Sequence, residues 1–400
     1  MDLALSADEE ELRRGARRVL GERSSPKQVR AAMAREDGHD AELWRLCARE
    51  LGWAGLAIGE DQGGVGMGGV ALAAVMEECG RALACVPLLP TVMAATLIEV
   101  AGTAAQRGEQ LGPIAAGEVI GAAALADAGG AWEVAGVGVT ARLENGGWVL
   151  SGRKAGVVAG HLADVLVVAA RVGVGKGVDL FLVPAAAPGV ERRVQPTLDA
   201  TRRVAEVTLN DVRLPAGARL GDGGEGEAGG AIERALDVVG AALAAEQLGG
   251  AERCLELSVD YAKVRVQFGR AIGSFQAVKH RCADMLVAVE AARSAVYWAG
   301  WAASHAPEEL KHAGPLAMAT ASETFFDVAA ETIQVHGGIG FTWEHDAHLY
   351  FKRARASAGL LGEPAWQRER LARRIGLGAG GEGPGAGTGT GTGTGTGGGG

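Results

Sequence analysis

The sequence predicts an α+β multidomain fold: an N-terminal helical part, a central antiparallel β-barrel part and a C-terminal four-helix bundle. Three observations carry this. Apolar residues recur at helical spacing to about residue 115, fall into short alternating runs from about 117 to 209, and return to helical spacing from 231 to 375. The short runs are bounded by turn residues rather than by helices. A glycine-rich stretch, 221–230, separates them from long alanine-rich segments. The resulting division is 1–115, 116–222, 229–375 and a tail at 376–400.

In the first part, Ser6 precedes Asp8, Glu9 and Glu10, an N-cap followed by an acidic first turn. Leu12, Ala16, Val19 and Leu20 continue the helix, with Arg13, Arg14, Arg17 and Arg18 on its other side. A solvated face explains those arginines better than a phosphate site. Further helices are expected at 40–51 and 70–83. The glycines at 59–69 follow no β-run, so they read as a connecting loop rather than a dinucleotide loop.

In the second part, strands are expected at 119–125, 136–143, 147–151, 163–169, 179–183 and 205–209, with Asn145-Gly146 as the clearest hairpin turn. Such evenly spaced strands without intervening helices suggest a small barrel or sandwich. The run GVGKG at 173–177 lacks the spacer and the Ser/Thr of a phosphate loop and reads as a strand turn. In the third part, helices are expected at 231–264, 273–305, 314–335, 346–361 and 364–375, long and amphipathic as in a bundle. The GTGTGT tail has almost nothing apolar to pack and is expected to be disordered.

Composition excludes several classes. The chain has 400 residues, 48% hydrophobic and 22% charged, with a formal charge of −9. An acidic balance argues against a nucleic-acid binder. Five scattered cysteines without ligand spacing read as free thiols of a reducing cytoplasm. No apolar run approaches the roughly 18 residues of a membrane span. Glu344, His345, Asp346 and His348 cluster without a third obvious ligand, so packing is favoured over a metal.

Two motifs organise the third part: RVQFGRAIGSFQ at 265–276 and QVHGGIGF at 334–341. Each sets a cation or an amide beside glycines, where a polyanion can approach the backbone. In this order and spacing they resemble the C-terminal domain of the acyl-CoA dehydrogenase family, of the actinobacterial FadE-like type. CGRALACVPLLP at 79–90, WVLSGRK at 148–154 and QVHGGIGFTWEHDAHLYFKRA at 334–354 add to the resemblance, which spans roughly residues 3–375.

The resemblance implies a helical domain, a β domain and a four-helix bundle. It implies FAD, whose pyrophosphate and adenosine end is held across a subunit boundary by Arg265, Gln267, Phe268 and Gln276, and by Gln334, Gly337 and Gly338. It implies α,β-dehydrogenation of an acyl-CoA thioester, with an electron-transfer flavoprotein as acceptor and a homo- or heterotetramer as the assembly. A carboxylate takes the α-proton, and donors aimed at the thioester oxygen stabilise the enolate.

The departures are as informative. Gly156 and Val158 stand where the resemblance places an aromatic residue and a Thr against the flavin ring, and LADAGG at 125–130 replaces a Thr/Ser-rich turn. The commonest base position falls near Leu361 or Gly362, which makes Glu363 the nearest carboxylate. An alternative base position falls near Val239. Glu246 lies two turns further, about 10 Å along the same face. Glu246 ranks first and Glu363 second as base, each weighed against a plain helix-packing or cap role. Small residues at Gly240, Ala241, Ala242, Ala244 and Ala245 are expected to leave room for a bulky, branched or steroid side-chain substrate. The second expectation is a supporting subunit of an α2β2 dehydrogenase, lacking the base. A third, on fold analogy alone, is a flavin monooxygenase or nitroalkane oxidase.

Overall fold

The computed structural model describes residues 5–127, 132, 136–173 and 177–377. The tail from residue 378, the centre of the 173–177 run and the 125–130 turn beyond Asp127 lie outside the described residues.

The N-terminal part is helical: α1 (Ala7–Arg23), α2 (Pro26–Met33), α3 (Ala41–Arg45), α4 (Gly68–Arg81), α5 (Leu88–Ala101) and α6 (Ala104–Ala115). Ser6 caps α1 in a full capping box with Glu9. The arginines of α1 are not a bare solvated face. Arg17 reaches the buried Glu78 of α4, and Arg13 bonds Glu10 and Tyr297. Residues 59–69 form the expected loop around one short 3₁₀ turn.

The middle part is a curled sheet: β1 (Gly121–Ala124), β2 (Thr140–Glu144), β3 (Gly147–Val158), β4 (Val165–Val172), β5 (Gly177–Pro184), β6 (Val190–Val194) and β7 (Val204–Pro215). Its hydrogen-bonded path runs β1-β4-β2-β3-β7-β6, with β5 also on β4. Most pairings are antiparallel, but β1 and the end of β2 run parallel to β4. Asn145 and Gly146 both take positive φ, 50° and 78°, so the β2–β3 hairpin closes in the mirror-image turn that its Asn-Gly signals. Inside the curl, Trp148 meets Phe181 edge-on at 5.3 Å.

The C-terminal part is a helical bundle of α7 (Gly229–Val264), α8 (Gln276–His305), α9 (Pro307–His336), α10 (Ala347–Ala358) and α11 (Pro364–Arg374). Two boundaries differ from expectation. Helix α9 starts at Pro307 rather than near 314: Pro307 at its first turn lacks only an N–H that has no partner there, and Pro315 is carried inside. The motif from Arg265 lies between helices, as the short hairpin β8 (Val266–Gln267) and β9 (Arg270–Ala271), because Phe268 and Gly269 turn through φ of 53° and 78°.

Helix α7 has 36 residues and is the spine of the molecule. Its small residues serve close helix packing. A Cβ on Gly249 would lie 1.7 Å from the Glu77 carbonyl oxygen of α4, one on Gly80 1.8 Å from that of Glu246, and one on Gly240 3.1 Å from Met318 of α9. Within the small stretch at 240–245, Gly240 thus serves packing against α9. Gly249→Ala should cost about 1–3 kcal/mol through overpacking. Gly15→Ala, on open surface of α1, should gain about 0.5–1 kcal/mol. Denaturant midpoints of the two variants would check both signs.

Candidate functional site

The three parts meet at a cavity of about 40 Å³, lined by Met76, Cys79 and Cys85 from the first, Val158 and Arg202 from the second, and Glu246 and Arg353 from the third. That volume holds about three water molecules.

Its floor is ionic. Arg353 of α10 donates Nη1 to Glu246 Oε1 at 2.5 Å and Nε to Asp199 Oδ2 at 2.7 Å. Its Nη2 also donates to the Thr201 carbonyl at 3.0 Å. Arg202 pairs with the same Glu246 oxygen and donates to Ser357 Oγ at 3.1 Å. Asp199 in turn accepts the Thr201 N–H at 2.9 Å. Asp199, Glu246 and Arg353 are buried and Arg202 nearly so, and the four charges sum to zero. Burial works to lower the Arg353 pKa, but Asp199 and Glu246 outweigh it and hold it above its ordinary value.

Glu246, expected first as the base, lies in this cluster, with one carboxylate oxygen shared between two guanidiniums. Glu363, expected second as the base, stands exposed at the N-cap of α11. Gly362 turns the chain there at φ 97° with the Trp366 ring against it. Sequence reading missed Asp199, Arg202 and Arg353, since nothing in the spacing of residues 44, 107 and 154 positions apart announces a cluster.

The flavin-facing side expected on β3 carries no donor. Gly156 opens onto empty space at φ 63°, and Val158 is buried. Lys154 is fully buried, donating to the Leu125 carbonyl at 2.8 Å and pairing with Asp127. Burial lowers its pKa, and Asp127 opposes that.

The other motif residues assemble differently. Arg265, Gln267, Phe268 and Gln276 are all exposed, Phe268 at 92%. Among the described residues, Arg265 makes no ion pair. Gln334, Gly337 and Gly338 are exposed too, and Gly337 (φ 60°) and Gly338 present backbone with nothing within 4 Å of a Cβ position. The two elements adjoin: the Tyr261 ring, one turn before Arg265, stacks on His336 at 4.4 Å, and His336 directly precedes Gly337. Gln334 also lines an open cavity of about 360 Å³ with Phe341, Trp343 and Lys352, whose Nζ lies 4.0 Å over the Trp343 ring.

An unpaired guanidinium, an amide and bare backbone beside an aromatic cavity suit a phosphate-bearing dinucleotide. The exposed residues of the two motifs are of the kind that would hold the pyrophosphate and adenosine end of such a dinucleotide. Around this grip Val264, Val266, Val287, Phe341 and Trp343 are exposed, an apolar surface of the kind that marks an interaction face. His345 and His348 pack against His336 and Trp343, and no group of three metal-ligating residues occurs among the described residues.

Two predictions follow from the charges. Glu246→Gln strands two buried guanidiniums and should cost about 3–5 kcal/mol, and adding Arg202→Met should recover part of it in the same denaturant titration. Burial lowers the pKa of His39, His336, His345 and His348. Each then binds a proton more readily unfolded than folded, so their contribution is intact above the unfolded value of about 6.5 and is lost as pH falls below it. Melting temperatures recorded from pH 8 to 5.5 should decline below about 6.5, and His336→Phe should flatten the decline.

Comparison with known proteins agrees with this layout. The N-terminal, middle and C-terminal domain models of acyl-CoA dehydrogenase match residues 6–118, 122–212 and 229–376. The chain is 38% identical over 367 residues to the acyl-CoA dehydrogenase IpdE2 of Mycolicibacterium smegmatis, covering 92% of this chain and 98% of that one. It is 39% identical to IpdE2 of Mycobacterium tuberculosis, covering 88% and 92%. Among solved structures, a variant of the Tcur3481-Tcur3483 steroid ACAD superposes with TM-score 0.82 at 35% identity, over 92% of this chain and 97% of the other. The ChsE4-ChsE5 complex from Mycobacterium tuberculosis gives 0.85 at 29%, over 95% and 100%. With all three domains matched in order and near-complete coverage on both sides, this chain belongs to the acyl-CoA dehydrogenase family, oxidoreductases acting on acyl-CoA.

Proposed function

We propose that this chain is the supporting subunit of an α2β2 acyl-CoA dehydrogenase, acting on a bulky, branched or steroid side-chain thioester. It lends Arg265, Gln267, Phe268, Gln276, Gln334, Gly337 and Gly338 to the dinucleotide end of an FAD. A partner chain of the same fold faces the flavin ring and supplies the base. The observation that carries this is Glu246: the carboxylate ranked first as base is held between Arg202 and Arg353. Gly156 and Val158, without donors, support the same division of labour, as does the exposed apolar surface around the grip.

When bound, the flavin supplies the hydride acceptor for Cβ of the thioester. This chain's own part is to bind and orient. The Arg265 fork neutralises phosphate charge, and the Gly337–Gly338 backbone lets the dinucleotide approach where a Cβ would stand in the way. The steroid-type substrate is supported by the names of the relatives, a steroid ACAD among them, and the mixed assembly by the ChsE4-ChsE5 complex. An electron-transfer flavoprotein is the fitting acceptor. A cytoplasmic location suits the five free cysteines, and no helix among the described residues is long and apolar enough to cross a membrane.

Co-expression with a dehydrogenase-like partner chain tests the proposal. The expected product is a mixed tetramer with one flavin per pair, active on acyl-CoA only when both chains are present. Arg265→Ala in this chain should loosen flavin retention about tenfold to a hundredfold, the scale of a lost charged hydrogen bond. A homotetramer of this chain alone, carrying one flavin per chain and reducing an acceptor dye with acyl-CoA, would overturn the supporting role.

A further inference from the structure

We infer that His336 is a positioning residue for the dinucleotide grip, its ring setting the spacing between Arg265 and the Gly337–Gly338 turn. The inference rests on the reading of that grip given above.

A ladder of contacts joins the C-terminal ends of α7 and α9. Ser258 Oγ donates to Thr332 Oγ1 at 3.1 Å, and the Thr332 hydroxyl lies 3.1 Å from the Cys254 carbonyl. One turn further, His336 Nδ1 lies 2.7 Å from the Thr332 carbonyl. A carbonyl only accepts, so Nδ1 carries the proton, and this bond fixes the tautomer and the tilt of the ring. On that fixed ring packs Tyr261, with centroids 4.4 Å apart and an interplanar angle of 27°. His345 packs on it as well, at 4.3 Å.

Both halves of the grip leave directly from this stack. The Arg265 N–H donates to the Tyr261 carbonyl at 2.9 Å, so the guanidinium springs from the residue bonded to the stacked tyrosine. On the other side Gly337 follows His336 in the chain. The turn then folds back onto it: a Cβ on Gly340 would stand 3.1 Å from His336 Cβ and 2.9 Å from the Ile333 carbonyl oxygen.

His345 is itself fixed. Its Nδ1 accepts the Ala347 N–H at 3.1 Å. Arg30 of α2 donates to the Trp343 and His345 carbonyls, each at 3.3 Å, and pairs with Asp346. The stack thus links Arg30, His345, His336 and Tyr261 to Arg265 through contacts that no dinucleotide touches. Turning or removing the central ring would shift the cation and the bare backbone relative to each other, and a bidentate phosphate contact tolerates little of that.

The test uses the assembled, flavin-loaded protein with whichever chains complete it. FAD release is followed by recovery of flavin fluorescence on dilution, and kcat is measured with saturating added FAD. His336→Leu, which keeps bulk but loses the N–H and the ring, should release FAD about tenfold faster with kcat near that of the wild type at saturation. His336→Phe keeps the ring contact with Tyr261 and should restore retention to within about threefold. His336→Leu combined with Tyr261→Leu should be little worse than either alone, as expected of residues acting through one contact. Should His336→Leu fail to fold, Tyr261→Leu alone takes its place and should show the same faster release.

FAD retention unchanged in His336→Leu, or in Tyr261→Leu, while Arg265→Ala releases the flavin would overturn this inference and leave the grip standing. Retention unchanged in all of these variants would remove the grip and the inference together.

Discussion

Four buried charges, Asp199, Arg353, Glu246 and Arg202, hold the middle sheet on the C-terminal bundle. Charges taken out of water are tolerated only when paired and hydrogen-bonded, and here they are supplied by three separate stretches of chain. Asp199 and Arg202 come from the loop before β7, Glu246 from the middle of α7 and Arg353 from α10. The Arg353–Asp199 and Arg202–Glu246 pairs form only once the sheet has docked on the bundle, whereas Glu246–Arg353 lies within the bundle.

Helix α7 turns that constraint into function. Its middle is pressed against α4 through Gly249, backbone against backbone, and against side chains of α9 through Gly240 and Gly250. Over 36 residues a helix extends about 54 Å, so the end that carries Tyr261 and Arg265 stands well away from the charged cluster. One rigid element therefore separates two tasks, a sealed ionic junction at its centre and an open, phosphate-seeking surface at its end. Surrounding the open end with exposed Phe268, Phe341 and Trp343 is expensive in water for a lone chain. It suits a surface completed by another protomer.

Much of the fold was legible in the residues. Helical periodicity located the long helices to within a few residues, and Asn145-Gly146 located the central hairpin. Local rules misled where a local signal has two meanings. Pro307 lies ahead of the expected start near 314, yet it begins the helix, and Pro315 is carried inside α9. Among the small residues of α7, Gly240 reads as space for a ligand, yet it is space for a neighbouring helix. Strand β6 went unseen because its five residues, Val190–Val194, are mostly charged and face solvent, leaving little alternation to detect.

The sequence alone determined the order of helical, β and helical parts, and the identity of the two motifs whose residues suit a dinucleotide. Both are local properties, written in periodicity, turn chemistry and short spacing. Only the tertiary structure decided that Glu246 is bound between Arg202 and Arg353, that Glu363 faces solvent, and that His336 joins the two motifs. Those outcomes depend on which side chains meet across separations of 44 to 154 residues. Desolvation and packing settle such meetings only when the whole chain has closed around them.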